Sequence, residues 1–540
     1  MSVEVKEMVN EEKLTNIIRT PALGRPFRLG MLYDRYHDNI IPGETLLRME
    51  DMEQHTFIQR RNGCFFDVRY GDSLQDKSIA FNGDLNLQLN ALIGMVALGS
   101  SGKFLKNTIL SKKQLRVALK AEYIMLYKEL EMQHFQSDIS KIKSSNATHI
   151  VTAIEYGTNV EFTFDRTLSD KEDVVEASGK LKNMISCIKI IEASADAQFT
   201  KESKNKQESE KLSCKFCGDI ILPFNPTTYE EAAQLYKELP KYVKEEEAVP
   251  VNVWLYPIPT ATKVLQTINK EKMKRTVAAL DDMQRIIISC NDLMSGQAFA
   301  HIPGIQCKLD LFRKTVQTFQ EDLQDQVFAE LHEKEDLSKD KISPCLVVID
   351  NMKHWLSQNA EIEISLLNIY INEIKKENIE ILPKSGVDAK LFEHDHVIIL
   401  DVVLPFSSGQ YVKEELRTLS NCTTQQRQSS FTKMVSEIRE HRRHDATTTS
   451  PSTNAEVKCW YEDAETKATV RKTIKRFLTL HKKFGDFEFF VTFTDRKDSE
   501  LQNKKSSCVR LLSYEDGEID ESNNLMSSEA EENLYSRTDY

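Results

Sequence analysis

The pattern that most limits the fold is a pair of long strand-like segments set far apart in the chain. "ATHIVTAIEYGTNVEFTFD" (147–165) and "VPVNVWLYPIP" (249–259) are rich in β-branched and aromatic residues, and each reads as a strand. Two such strands with so much chain between them predict one large, non-local sheet. Between them, "NPTTYEEAAQLYKELPKYV" opens on Asn225-Pro226-Thr227, offers a capping hydroxyl and repeats Ala232, Leu235, Tyr236 and Leu239 at helical spacing, which predicts a helix. Nearer the start, "ALGRPFRLGMLYDRYHDNIIPG" (22–43) places Gly24 and Pro26 before an apolar run and reads as a buried strand ending in a turn.

The character changes over residues 261–380. "VAALDDMQRIIISCNDLM", "LDLFRKTVQTFQEDLQDQVFAELHEK" and "NMKHWLSQNAEIEISLLNIYINEIKKEN" repeat apolar groups every three or four positions, which predicts an antiparallel helical bundle. After Leu382-Pro383 come a continuous apolar strand "HVIILDVVLPF" (396–406), a helix with Trp460 near its start and "KATVRKTIKRFLTLHKKF" as its body, then "FEFFVTF" (487–493) and "CVRLLSY" (508–514). That order suggests a small α/β domain. The polar stretch at about 423–456 reads as a mobile insertion.

A chain of 540 residues exceeds what one core organises. With 40% hydrophobic and 29% charged residues it has material for several cores, yet no window approaches the roughly 18 uninterrupted apolar residues of a spanning helix. The first twenty residues alternate charge with short apolar groups and lack the form of a secretory signal, so retention in the cytoplasm as synthesised is expected. Ten scattered cysteines suit reduced thiols better than a disulfide framework. The net charge of −12 is concentrated at the end, where nine acidic residues from Glu515 onward face only Arg537. A solvated, disordered acidic tail over 515–540 is expected, and the body, still slightly acidic without it, argues against a nucleic-acid binder.

Several separate motifs resemble the stonustoxin-like family: the stretch at 22–43, "SGKFLKN" (101–107), "ATHIVTAIEYGTNVEF" (147–162), "SCKFCGD" (213–219), "NPTTYEEAA" (225–233) and "VPVNVWLYPI" (249–258). The resemblance covers roughly residues 20–515. It implies an α+β multidomain chain: a polar leader (1–21), a domain of the perforin and cholesterol-dependent cytolysin (MACPF/CDC) superfamily with a bent central sheet and flanking helical clusters (22–260), a helical bundle like focal-adhesion-targeting domains (261–382) and a thioredoxin-like domain (383–514). The C-terminal β-sandwich (PRYSPRY) recognition domain of full-length family toxins is expected to be missing. Tyr156, Gly157 and Thr158 resemble the superfamily signature at the sheet bend, with Asn159 where many perforin-like chains carry His.

The resemblance further implies that two helical segments refold into membrane-crossing hairpins within a ring of subunits. Such strands need about 9 to 11 residues of alternating pattern and a closed barrel. For hairpin one, Leu85, Leu87, Leu89, Ala91 and Ile93 share one face, and Leu115, Val117, Leu119 and Ala121 share another within residues 85–123, with Gly94, Gly99 and Gly102 between them as hinge candidates. The same alternation is what a half-buried soluble strand shows. For hairpin two, within 182–212, Ala193, Ala195, Ala197 and Phe199 alternate, but "TKESKNKQESEKLS" after them is polar on both faces. Expected partners are a second copy or a related subunit and membrane lipid.

No catalytic constellation emerges. Cys214 and Cys217 form a lone Cys-x-x-Cys with no second pair at metal-site spacing. His441 and His444 lie within a basic patch. Where a redox thioredoxin would place its thiols, "SSGQYVKEEL" has no cysteine. The sequence therefore predicts a non-enzymatic protein without cofactor or metal; the resemblance implies a pore-forming cytolysin, with a non-lytic soluble intracellular scaffold that keeps the fold as the alternative.

Overall fold

The computed structural model describes residues 17–35, 37–45, 49–73, 98–135, 147–169, 172–190, 209–258, 270–332, 342–404, 460–495 and 509–519, together with Lys77, Leu87, Asn90, Ile139 and Ile142. They fall into two compact units, the first within 1–284 and 322–342, the second within 285–321 and 343–540.

Eight strands build the sheet of the first unit: β1 (Ile18–Pro21), β2 (Met31–Asp34), β3 (Asn39–Thr45), β4 (Thr56–Tyr70), β5 (Gln114–Leu130), β6 (His149–Thr167), β7 (Leu212–Gly218) and β8 (Val249–Pro257). All pairings are antiparallel, and β6 is the hub: it pairs with β5 along most of its length, with β7 at its C-terminal half, and with β8 and β2 at its N-terminal half. The non-local sheet expected from 147–165 and 249–259 is thus β6 against β8, Val151 facing Leu255 and Ile154 facing Val253. The expected leader is shorter than residues 1–21, because Ile18–Pro21 is paired as an edge strand on β8. The stretch 22–43 is also more than one strand: β2 and β3 form a hairpin, while 22–30 is irregular and its apolar residues Ala22, Leu23 and Phe27 are buried.

Register shifts line up across the sheet at one level. β4 has extra residues between Arg60 and Gly63, β5 between Ile124 and Leu126, and the β6–β8 ladder shifts between Glu155 and Tyr156. An extra residue on one strand of a pair bends it and increases local twist, so a row of shifts folds the whole sheet along a line. Gly157 sits on that line. A Cβ built there would lie 1.8 Å from the Tyr123 carbonyl oxygen, an approach open only to glycine.

The helix Tyr229–Tyr242 begins where the sequence places it, with Thr228 and Glu231 forming a reciprocal capping box. Its residues Ala232, Leu235, Tyr236 and Leu239 pack with the helix Val174–Ile190 against Val117, Leu119, Ala121, Phe162 and Phe164 of the sheet.

In the second unit, a five-stranded sheet has the order β13-β12-β10-β11-β9, with β9 (Glu380–Leu382), β10 (His396–Leu404), β11 (Glu488–Asp495), β12 (Val509–Glu515) and β13 (Glu518–Ile519). β9, β11 and β10 run parallel, and β12 and β13 are antiparallel additions. The first residues of the acidic tail expected from 515 onward are ordered, since Asp516 and Gly517 turn the chain from β12 into β13, and the rest of that stretch lies outside the described residues. The expected insertion near 423–456 lies outside the described residues.

The long helical pattern at 351–378 is interrupted: Ile342–Trp355 and Ile362–Lys376 are joined by a π-helical turn at Leu356–Glu361. Glu363 is 2% exposed within this region. It receives the Lys308 ammonium at 3.0 Å and the Trp460 indole N–H at 2.9 Å, so its buried charge is fully partnered.

Candidate membrane-insertion apparatus

β4, β5, β6 and β7 lie side by side, and their connections at one end of the sheet are long. Tyr70 pairs with Val117, Gln114 with Thr167 and Leu212 with Arg166, so the connectors 71–113 and 168–211 both leave the sheet at this end. Each is longer than the roughly 20 residues that two membrane-crossing strands require.

Connector 168–211 contains the helix Val174–Ile190, which lays Leu181, Met184, Ile185 and Ile188 on the apolar face of the sheet. Connector 71–113 covers the opposite face, which is polar and buried. There Arg69 pairs with Glu161 at 3.0 Å, and Arg116 grips Asp165 through two bonds of 2.6 and 2.8 Å. The same Arg116 reaches Asp72 of the connector at 2.7 Å, and Lys77 holds Asp72 at 2.9 Å. Burial pushes the Lys77 ammonium below its ordinary pKa, which Asp72 opposes.

Farther along, Ser100 donates to Asp219 at 2.6 Å, and the Cys217 thiol donates to the Ser100 carbonyl at 2.8 Å. Phe104 lies under the Arg69 guanidinium at 5.3 Å and packs with Leu23, Leu87 and Leu105.

The residues 22–38 clamp this connector. Leu23 and Gly24 adopt positive φ, and the Leu23 carbonyl accepts from the Gly99 N–H at 2.9 Å. Gly24 and Gly99 approach so closely that a Cβ on Gly99 would sit 2.1 Å from the Gly24 carbonyl oxygen, and one on Gly102 would sit 2.9 Å from that of Leu23. Arg25 ties the loop together by donating to the carbonyls of Pro21, Ala22 and Asp38 at 2.9, 2.8 and 2.7 Å. Asp38 accepts from Asn90 of the connector at 3.0 Å and from the Tyr33 hydroxyl, whose pKa burial raises.

The sequence-predicted residues divide accordingly. Tyr156, Gly157 and Thr158 lie at the line of register shifts in β6. Leu115, Val117, Leu119 and Ala121 are strand residues of β5 in this structure, all paired with β6 and, from Val117 on, also with β4, and their shared face is the core beneath the helices Val174–Ile190 and Tyr229–Tyr242. Their alternation reports a buried sheet face. Leu87 is helical and 2% exposed, while Leu85, Leu89, Ala91, Ile93 and Gly94 lie outside the described residues, as do Ala193, Ala195, Ala197 and Phe199. Gly99 and Gly102 make close contact with Leu23 and Gly24. Residues 182–190 of the second candidate are the last turns of a helix.

Cys214 and Cys217 face opposite sides of β7, as their odd spacing dictates. Cys214 is in the core, its thiol pushed up to about 12 chiefly by burial, and Cys217 is against connector 71–113. They cannot share one ion. Missed from the sequence were β4 and the charged pairs Arg69–Glu161 and Arg116–Asp165. The signal available for the pairs was charge alternating with apolar residues in β5 and β6.

A bent antiparallel sheet with two long connectors leaving one end defines the MACPF/CDC-like class. Residues 17–234 match the family model described as SNTX, MACPF/CDC-like domain. It is 33% identical to stonustoxin subunit alpha of Synanceia horrida over 310 residues, 55% of this chain and 44% of that protein. It is 29% identical to cytolytic toxin-alpha of Scorpaena plumieri over 405 residues, 73% of this chain and 55% of that protein. The chain thus spans about half the length of the curated relatives it matches. A solved stonustoxin structure superposes with a TM-score of 0.64 at 22% identity, covering 93% of this chain and 69% of that one, which establishes a shared fold. Among the described residues no helix is long and apolar enough to cross a membrane.

Proposed function

We propose that this chain is a non-enzymatic pore-forming protein that assembles with itself or a related subunit and inserts connectors 71–113 and 168–211 as β-hairpins. The observation that carries the reading is topological. Each connector joins two strands of one antiparallel array, β4 to β5 and β6 to β7, at the same end. Extending those strands through the connectors makes two adjacent hairpins without breaking any existing pair, and a ring of copies closes the barrel that lipid requires. The relatives' names agree, several being subunits of toxins and two being cytolytic toxins.

The strand β4 supplies a surface for assembly. Among the described residues it pairs only with β5, and Phe57, Ile58 and Phe65 on it are about half exposed or more. A long free edge is a template for another chain. The five-stranded sheet of the second unit has the strand order and senses of a thioredoxin-like domain, and the helices before it are read as the focal-adhesion-targeting-like bundle; both are assigned a bracing role.

The alternative, a non-lytic scaffold, is favoured by one feature: the segment 200–213 carries Lys201, Lys204, Lys206 and Lys211 among acids, and charges facing lipid cost about 2 to 4 kcal/mol each at mid-membrane. Dye release from neutral and anionic liposomes, with the protein alone and with a related subunit, separates the two. Leakage with ring-shaped assemblies is the expected outcome, and intact vesicles under every condition favour the scaffold.

A further inference from the structure

We propose that His55, Glu131 and His134 form a binding site for a divalent transition-metal ion, best suited to Zn2+. The three meet at one end of the β4–β5 pair. His55 immediately precedes β4, and Glu131 immediately follows β5, where Thr56 faces Leu130. The Glu131 N–H donates to the His55 carbonyl at 3.0 Å and the His134 N–H to the Glu131 carbonyl at 3.0 Å, so the backbone fixes all three relative to one another. Phe135, 3% exposed, anchors the turn carrying His134, and its ring meets His55 edge-on at 5.8 Å.

The side chains converge without bonding tightly. His134 Nε2 lies 3.4 Å and His55 Nδ1 3.8 Å from Glu131 Oε2, longer than the roughly 2.8 Å of a charge-assisted hydrogen bond. With metal bonds of about 2 Å, neighbouring ligand atoms of a tetrahedral ion stand about 3.3 Å apart. Two edges of the required triangle are therefore nearly in place, and all three ligand atoms lie within 4.8 Å of one another. The imidazoles stack at 4.2 Å, placing both rings beside the same carboxylate oxygen. The remaining polar neighbour, the Gln133 amide at 3.5 Å from His134 Nε2, is weakly held and can turn away.

Two imidazoles and one carboxylate suit Zn2+, and also Ni2+ or Cu2+, far better than Ca2+ or Mg2+, which take oxygen ligands. Partial exposure leaves a fourth position for water or a donor from another molecule. Bound there, the ion links the start of β4 to the end of β5, at the opposite end of these strands from connector 71–113.

The test is equilibrium dialysis of the full chain against ZnCl2 with bound zinc counted by atomic emission, alongside Co2+ absorption spectra. Wild type is expected to hold one equivalent more than His134→Ala or His55→Ala, and the lost Co2+ signal should be d–d bands without thiolate charge transfer, which separates this site from the cysteines. Glu131→Gln, which keeps the side-chain volume should an alanine variant misfold, is expected to weaken binding by more than the about tenfold that loss of an outer-shell partner costs. Equal zinc content and affinity in wild type and all folded variants would overturn the proposal.

Discussion

At the scale of single residues, Gly157 constrains the first unit and Glu363 the second. Gly157 allows β6 to touch the Tyr123 carbonyl, so Gly157→Ala must displace backbone, and a loss of about 1 to 3 kcal/mol is expected in urea unfolding of the first unit. Glu363 shows the opposite case, a charge tolerated in the second unit because Lys308 and Trp460 meet it; Glu363→Ala strands Lys308 and is expected to cost about 3 to 5 kcal/mol by the same measurement.

His149 gives the fold a pH dependence. Burial, then the Arg35 charge, lowers its pKa from 6.5 to about 4. Above its ordinary pKa both folded and unfolded forms are neutral. As pH falls from about 6.5 toward 4 the unfolded chain takes up the proton and the folded one does not, so stability declines by an amount on the order of 3 kcal/mol. The melting temperature of the first unit should fall between about pH 7 and about pH 4.5, with a shallower fall in His149→Gln.

At the scale of elements, the described part of connector 71–113 is held by a chain of polar contacts together with a small apolar cluster of Leu87, Phe104 and Leu105 against Leu23, and the polar share of these contacts favours its separation from the sheet. Releasing it exposes Arg69, Glu161, Arg116 and Asp165 to water, and rehydration of buried charges offsets part of the lost pairing. The Cys217 thiol against the Ser100 carbonyl supplies a lock: Ser100→Cys, oxidised to a disulfide with Cys217, is expected to block dye release, and reduction to restore it. Leakage by the oxidised form at the reduced rate would show that this connector stays docked during insertion.

Much of the element pattern was legible beforehand. β6, β8, β10 and the helix Tyr229–Tyr242 announce themselves by alternation or by a capping motif next to a 3.6-residue repeat. β4 does not, because it is an edge strand with most residues exposed and Arg60-Arg61-Asn62-Gly63 in its middle, so burial imposes no clean period on it. The alternation from Leu115 to Ala121 was ambiguous for a related reason: it is the same whether the apolar face of a strand meets lipid or a covering helix.

At the scale of the whole molecule, assembly is expected to proceed through the free edge of β4. Phe65→Glu alters a side chain that is 64% exposed and should leave the melting temperature within about 0.5 kcal/mol of wild type in stability while suppressing ring formation on liposomes. Electron microscopy of treated vesicles checks this directly.

By itself the sequence determined most of the strands and helices, β4 excepted, and that two distant strands must meet, because each follows from local periodicity, whereas the need for glycine at residue 157 comes from the Tyr123 carbonyl on the neighbouring strand. Only the tertiary structure decided which face of β5 is covered, which charges are paired, and that both connectors leave one end of the sheet. Those properties depend on what lies across the sheet from each residue, and a periodic pattern along one strand carries no information about its neighbour.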